Sequence, residues 1–190
     1  MRIGVLALQG DFKEHIDMLK KCDVDAIEIR QKEDLEKVDG LIIPGGESTT
    51  IGKLLNESNL HDEIVKRYNG GMPIYGTCAG AILLAKEIEK SSQPSLGLMD
   101  IKIKRNEYGR QIDSFESHLD LRSIGKVDGM FIRAPIISKI REGVEILGVH
   151  EKKPVLVRQN NLLASTFHTE LSENTKLHKY FVQMVKQSLG

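Results

Sequence analysis

Cysteine is scarce in this sequence: Cys22 and Cys78 are the two among 190 residues. Two thiols make no disulfide framework, so a reducing, cytoplasmic setting is expected. Net charge is absent as well, because 27 Lys and Arg balance 27 Asp and Glu. The longest basic runs are pairs such as Lys20-Lys21 and Lys152-Lys153. A phosphate backbone calls for a clustered basic face, so no nucleic-acid partner is expected. No apolar run approaches the ~20 residues that cross a bilayer. The apolar N-terminal stretch is cut off at Asp11, too early for a secretory leader, and no membrane association is expected. Repeats, low-complexity tracts and linker-like stretches are missing too, which predicts one domain over residues 1–190.

What is present alternates between two periodicities. "RIGVLAL" (2–8) is a continuous apolar run, the pattern of a strand covered on both faces. In "DFKEHIDMLKKC" (11–22), Phe12, His15, Ile16 and Leu19 recur at spacings of three and four, a helical stripe. "AIEIR" (26–30), "GLIIPGG" (40–46) and "MPIYG" (72–76) read as strands. A charged stretch at 32–37, "STTIGKLLNES" (48–58) and "AGAILLAKEIEK" (79–90) read as helices. Such alternation predicts an α/β fold with a mostly parallel central sheet flanked by helices, flavodoxin-like in type. The second half changes character. Two alternating stretches in 96–121 around "NEYG" predict an antiparallel hairpin. "GMFIRAP", "VEILGVH", "PVLVRQ" and "NLLASTFHTEL" (161–171) read as further strands, and 174–189 as a closing amphipathic helix.

The residues that carry chemistry begin at "YGTCAG" (75–80). Gly76, Cys78 and Gly80 reproduce the G-x-S-x-G spacing of a nucleophile elbow, with sulfur in place of oxygen. A helix starting at residue 79 offers N–H groups and partial positive charge, which favour a thiolate. Alone, the motif leaves two readings open: a small buried core residue, or a nucleophile. A thiolate nucleophile needs a base held by a third group. Of six histidines, His15, His61 and His178 lie in helical segments and read as structural, while His118 and His150 have no patterned partner. His168 differs, because "FHTEL" places Glu170 two residues on, and in a strand i and i+2 share a face. Elbow and His-x-Glu together favour a Cys-His-Glu triad over a solvated surface pair. The N–H of Ala79 and the "PGGES" loop (44–48), with Gly46, are candidate oxyanion donors. That loop fails the phosphate-loop spacing, since Lys53 is followed by Leu54. No C-x-x-C, H-x-x-x-H or carboxylate pair at ligand spacing is present, so no metal is expected; His168 and Glu170 lack a third ligand.

"GLIIPGGESTT", "YGTCAGAILLAKEI", "RNEYGRQIDSFE", "FIRAP" and "FHTEL" together resemble the glutaminase-subunit family of pyridoxal 5′-phosphate synthase, within the triad (class I) glutamine amidotransferases. The resemblance runs from "GVLALQGD" to the final helix. It implies that Cys78 attacks the side-chain amide of L-glutamine, His168 shuttles protons and Glu170 orients His168. It implies glutamine contacts at Gly46, Glu47, Ser48, Arg105, Ile132 and Arg133. It further implies ammonia delivery to a separate (β/α)₈ synthase subunit in a hetero-oligomer, with docking that completes the oxyanion hole at the Gly-Gly loop. No cofactor is implied. "QGDF" (9–12) is a candidate contact surface.

One position departs from the family pattern. Thr169 stands where the family usually has proline between histidine and glutamate, which frees an N–H and relaxes φ. The expectation is altered rate or stability with the triad kept. Two other readings compete: a stand-alone cysteine hydrolase or chaperone on a related flavodoxin-like sheet, and a non-enzymatic partner of a synthase. The first does not account for "PGGEST" together with His-x-Glu, and the second would need a broken triad.

Overall fold

The computed structural model describes residues 1–105 and 114–190. Four short apolar runs become β1 (Arg2–Leu6), β2 (Asp25–Ile29), β3 (Gly40–Ile43) and β4 (Ile74–Thr77). Between them lie α1 (Phe12–Lys21), α2 (Lys32–Leu35), α3 (Ser48–Glu57) and α4 (Leu60–Asn69). A short helix, α5 (Ala79–Leu84), is followed by β5 (Ala85–Ile88), β6 (Met99–Lys104), β7 (Ser114–Leu121), β8 (Gly125–Ile132) and β9 (Ile136–Ile140). The chain ends with β10 (Glu145–His150), β11 (Lys153–Gln159), β12 (Leu162–Ser165) and α6 (Lys176–Leu189).

The main sheet has seven strands in the order β10-β11-β12-β4-β3-β1-β2. From β2 to β12 every pairing is parallel, while β11 and β10 add an antiparallel edge. Because side chains alternate along a strand, each central strand feeds two cores. Leu41, Ile43, Ile74, Leu162 and Ala164 pack beneath α3, α4 and α5. Ile3, Val5, Ile42, Tyr75 and Leu163 pack on the other face, against α1, α6 and β8. Among the described residues no helix is long and apolar enough to cross a membrane.

Three local expectations are corrected. The helix expected over 79–90 stops at Leu84, and residues 85–88 become a strand. The amides of Leu96 and Leu98 bond the carbonyls of Leu83 and Leu84 at 2.8 and 2.9 Å, competing for the acceptors that a longer helix would use. The hairpin expected within 96–121 is not formed by its two strands. β6 pairs with β5 and β9, whereas β7 pairs with β8. Met99, Ile101 and Ile103 of β6 belong to one core and Leu119 and Leu121 of β7 to the other, so burial pulls the strands apart. The "NEYG" turn lies outside the described residues. The second half does contain an antiparallel hairpin, β7–β8, turned at residues 122–124. Finally, the strand read over 161–171 ends at Ser165.

Candidate active site

Parallel strands end at one edge of a sheet, and functional residues of open α/β sheets gather there. Here β1 releases the loop carrying Gln9 and Asp11, β3 releases Gly45 and Gly46, β4 releases Cys78, and β12 leads to His168. One cavity of about 300 Å³ is lined by Gly46, Glu47, Ser48, Cys78, Ala79 and His168. Arg105, Ile132 and Arg133 also line it. Glu170 is buried behind His168. Residues from positions 46 to 170 are thus brought to one place.

The bend at Cys78 is tight. Its backbone has φ 51° and ψ −99°, a region that side chains rarely occupy. The Cys78 amide donates to the Ser165 carbonyl at 2.8 Å, tying the ends of β4 and β12 together. A Cβ on Gly80 would stand 2.1 Å from the Ile43 carbonyl oxygen, and one on Gly76 would stand 2.6 Å from the Gly80 carbonyl. The flanking glycines are therefore demanded by backbone contact. Ala79 is the first residue of α5, where an amide has no acceptor within its helix. Cys78 itself is buried, with Sγ 4.0 Å from the Ile132 carbonyl oxygen.

His168 is held differently from what an extended strand would give. It forms an isolated antiparallel bridge with Met130 of β8, each amide donating to the other's carbonyl at 2.8 and 2.9 Å. Thr169 and Glu170 then turn, and the Thr169 carbonyl accepts from the Ser172 amide at 3.0 Å and its hydroxyl at 2.9 Å. From this turn Glu170 Oε1 reaches His168 Nδ1 at 2.6 Å. Nε2 of the imidazole is thereby left for the cavity. Burial opposes charge on His168, but hydrogen bonds with Cys78 and Glu170, and the negative charge on both, outweigh it and push the imidazole up to about 11. Burial would likewise raise Glu170, yet His15 and His168 beside it hold its carboxyl well below the usual carboxylate range.

The Gly-Gly loop is latched in place. Glu47 donates its amide to Gln9 Oε1 at 2.7 Å, and Asp11 donates its amide to the Gly45 carbonyl at 3.0 Å. The Glu47 carboxylate caps α3, accepting from Thr49 N and Thr50 N at 3.1 and 2.8 Å. Partial burial works against its charge, but hydrogen bonds from Thr50 and Thr49 hold it down at about 2. Arg105 pairs with it at 3.2 Å and also donates to Gln93 Oε1 at 2.9 Å. Ser48 Oγ shares that acceptor at 3.3 Å.

Sequence reasoning passed over several groups. Gln93 carried no motif, and Ile82 and Leu171 of the lining looked like ordinary apolar residues. Asp11 supplies the third ligand that spacing alone did not provide: one atom each of Asp11, His168 and Glu170 lies within 4.8 Å of the others. The 2.6 Å contact between His168 and Glu170 is nevertheless hydrogen-bond geometry, since a bound cation would sit between them at about 2 Å from each. The residues fit a hydrogen-bonded dyad better than a metal site.

Comparison with known proteins adds an independent finding. The model of the SNO glutamine amidotransferase family matches residues 5–187. The chain is 49% identical, over all of both sequences, to the "Pyridoxal 5'-phosphate synthase subunit PdxT" of Carboxydothermus hydrogenoformans. It is 48% identical to the protein of the same name from Thermotoga maritima, over 98% of this chain and all of that one. A solved structure titled "Crystal structure of glutamine amidotransferase" superposes with a TM-score of 0.94 at 50% identity, covering 97% of this chain and 98% of that one. The "Structure of PurLQS from Thermotoga maritima" shares the fold, with a TM-score of 0.72 at 15% identity over 100% of this chain and 99% of that one. With the family model spanning nearly its whole length, this chain belongs to the SNO glutamine amidotransferase family.

Proposed function

We propose that this chain is the glutaminase component of a pyridoxal 5′-phosphate synthase, hydrolysing L-glutamine to L-glutamate and ammonia. The observation that carries the reading is the 2.6 Å bond between His168 and Glu170, with His168 lining the same cavity as the strained Cys78. The Cys78 thiolate attacks the side-chain amide carbon of glutamine. The resulting oxyanion accepts hydrogen bonds from the backbone around Ala79 and Gly46. His168 gives its Nε2 proton to the leaving nitrogen, ammonia departs, and a γ-glutamyl thioester remains on sulfur. His168 then takes a proton from water, which attacks the thioester and releases glutamate and the thiolate. Glu170 keeps the imidazole in the tautomer and orientation these transfers need.

Around the reacting amide, Gly46, Glu47, Ser48, Arg105, Ile132 and Arg133 form the glutamine-binding wall. The substrate's α-carboxylate suits an arginine, and its α-ammonium suits the Glu47 carboxylate. Residues 1–190 act as one amidotransferase domain. Ammonia passes to a (β/α)₈ synthase subunit in a hetero-oligomer, and docking acts on the loop now latched through Gln9 and Glu47. A nucleophile that must stay reduced suits a cytoplasmic setting. The test is glutamate release by the purified chain, alone and with a synthase barrel subunit. Strong stimulation by the barrel, lost in Cys78→Ala, is the expected result. Unchanged turnover in Cys78→Ala would overturn the mechanism.

A further inference from the structure

Behind Glu170, on the side away from the cavity, two helices meet. His15 lies on the apolar stripe of α1 and His178 on the buried face of α6, and neither exposes any surface. Their rings are brought together at His15 Nδ1 and His178 Nε2, 2.9 Å apart, with Tyr75 of β4 set edge-on to both. Burying two imidazoles in an apolar layer is unfavourable unless their nitrogens are used. One nitrogen of each is used in this pair. The remaining nitrogen of His15, Nε2, lies 3.4 Å from Glu170 Oε1. That is an ionic approach without hydrogen-bond geometry, since His15 Nε2 has no hydrogen-bond partner among the described residues, and it is weaker than the 2.6 Å bond from His168 to the same oxygen. Among the described residues Glu170 Oε2 has no hydrogen-bond partner, so Oε1 carries both polar contacts to this buried carboxylate.

Proton positions follow from these contacts. A nitrogen facing a carboxylate must carry the hydrogen, so His15 holds it on Nε2. If His15 Nδ1 is then the acceptor, His178 donates from Nε2 and its bare Nδ1, which has no partner, is an orphaned acceptor. The opposite assignment would orphan a buried donor, which native structures tolerate less. Burial, together with the neighbouring His15, holds His178 down at about 3, in keeping with a neutral ring. We propose that His15 and His178 are positioning residues for this reaction, with His178 fixing the His15 ring and His15 steadying Glu170 against His168. The chain of contacts then runs His178, His15, Glu170, His168, Cys78, and extends the three reacting groups backward into the core.

The inference rests on the glutaminase reading, so it is tested in the complex with the synthase subunit. Two variants separate the roles of the ring nitrogens. His15→Asn can keep a polar atom near Nδ1, toward His178, but is too short to reach Glu170. His15→Gln can place an N–H near Nε2. His15→Asn is expected to lower kcat roughly 10-fold, the lower end for groups that orient a catalytic ligand from behind. KM for glutamine should stay within about two-fold, since no ground-state contact is lost. His15→Gln should keep most of kcat. In a Glu170→Ala background His15→Asn should cause no further loss, because its effect travels through Glu170. Equal kcat for the two variants, or a full additional loss without Glu170, would overturn the inference. Cys78→Ala run alongside separates the two failures. If it is inactive while His15→Asn turns over normally, only the positioning role falls. If it stays active, the role of Cys78 falls as well, whereas an unsubstituted complex that releases no glutamate overturns the glutaminase reading itself.

Discussion

Cys78 holds a backbone conformation, φ 51° and ψ −99°, that a side chain makes unfavourable by about 1–3 kcal/mol. Only glycine occupies such a region freely. Cys78→Gly should therefore unfold at higher denaturant than Cys78→Ala, by about 1 kcal/mol, although both lack the thiol. Equal stability of the two would mean that the elbow stores no strain. At His178 the proton linkage has a definite sign. Its pKa falls from an ordinary 6.5 unfolded to about 3 folded, so the folded state resists a proton that the unfolded chain accepts. The resulting stability is fully present above pH 6.5 and is lost as pH falls toward 3. The facing groups are His15, Tyr75 and Glu170. His178→Gln should flatten the fall of Tm with acid in that window, and an unchanged slope would contradict the assignment. Cys78, His168 and Glu170 were legible in the sequence because local spacing marks them. His15 and His178 were not, because the contact that gives them meaning spans 163 positions.

At the scale of elements, the turn between β4 and α5 sets the geometry of the site. Gly80→Ala would drive a methyl against the Ile43 carbonyl, where the nearest atom is backbone and cannot swing away. A loss of more than about 2 kcal/mol, with glutaminase activity lost as well, is expected from that substitution. Thermal unfolding and glutamate release check it, and a stable, active variant would contradict the tight-turn account. The parallel core of the sheet was legible because apolar runs such as residues 40–43 and 2–6 carry their own signal. The fate of residues 79–90 was not. "LLAKEIEK" is rich in helix formers, and what ends the helix is the return of residues 96–98 to its last carbonyls. The pairing of β7 with β8 instead of β6 was hidden for a similar reason. All three strands alternate, and only the side of the main sheet on which each is buried separates them. The bond from His168 to Glu170 was expected from strand geometry, yet it forms from a turn anchored by Met130. Thr169 is fully buried there, with its carbonyl accepting from Ser172 and its own hydroxyl without a hydrogen-bond partner among the described residues.

For the whole molecule, the central claim is that four strand ends converge on one nucleophile. β1, β3, β4 and β12 come from distant parts of the chain, and their loops meet at the cavity holding Cys78. The other thiol, Cys22, lies at the C-terminal end of α1, half-buried, where burial pushes its pKa up. The two cysteines thus offer an internal control within one protein. The measurement that discriminates most directly is covalent labelling by an electrophilic glutamine analogue, such as a chloroketone, read by peptide mass spectrometry in the presence of the synthase subunit. The expected result is one adduct per chain, on Cys78, suppressed by excess glutamine and lost in His168→Ala. Labelling at Cys22, or an unlabelled Cys78 in a chain that still hydrolyses glutamine, would contradict the account.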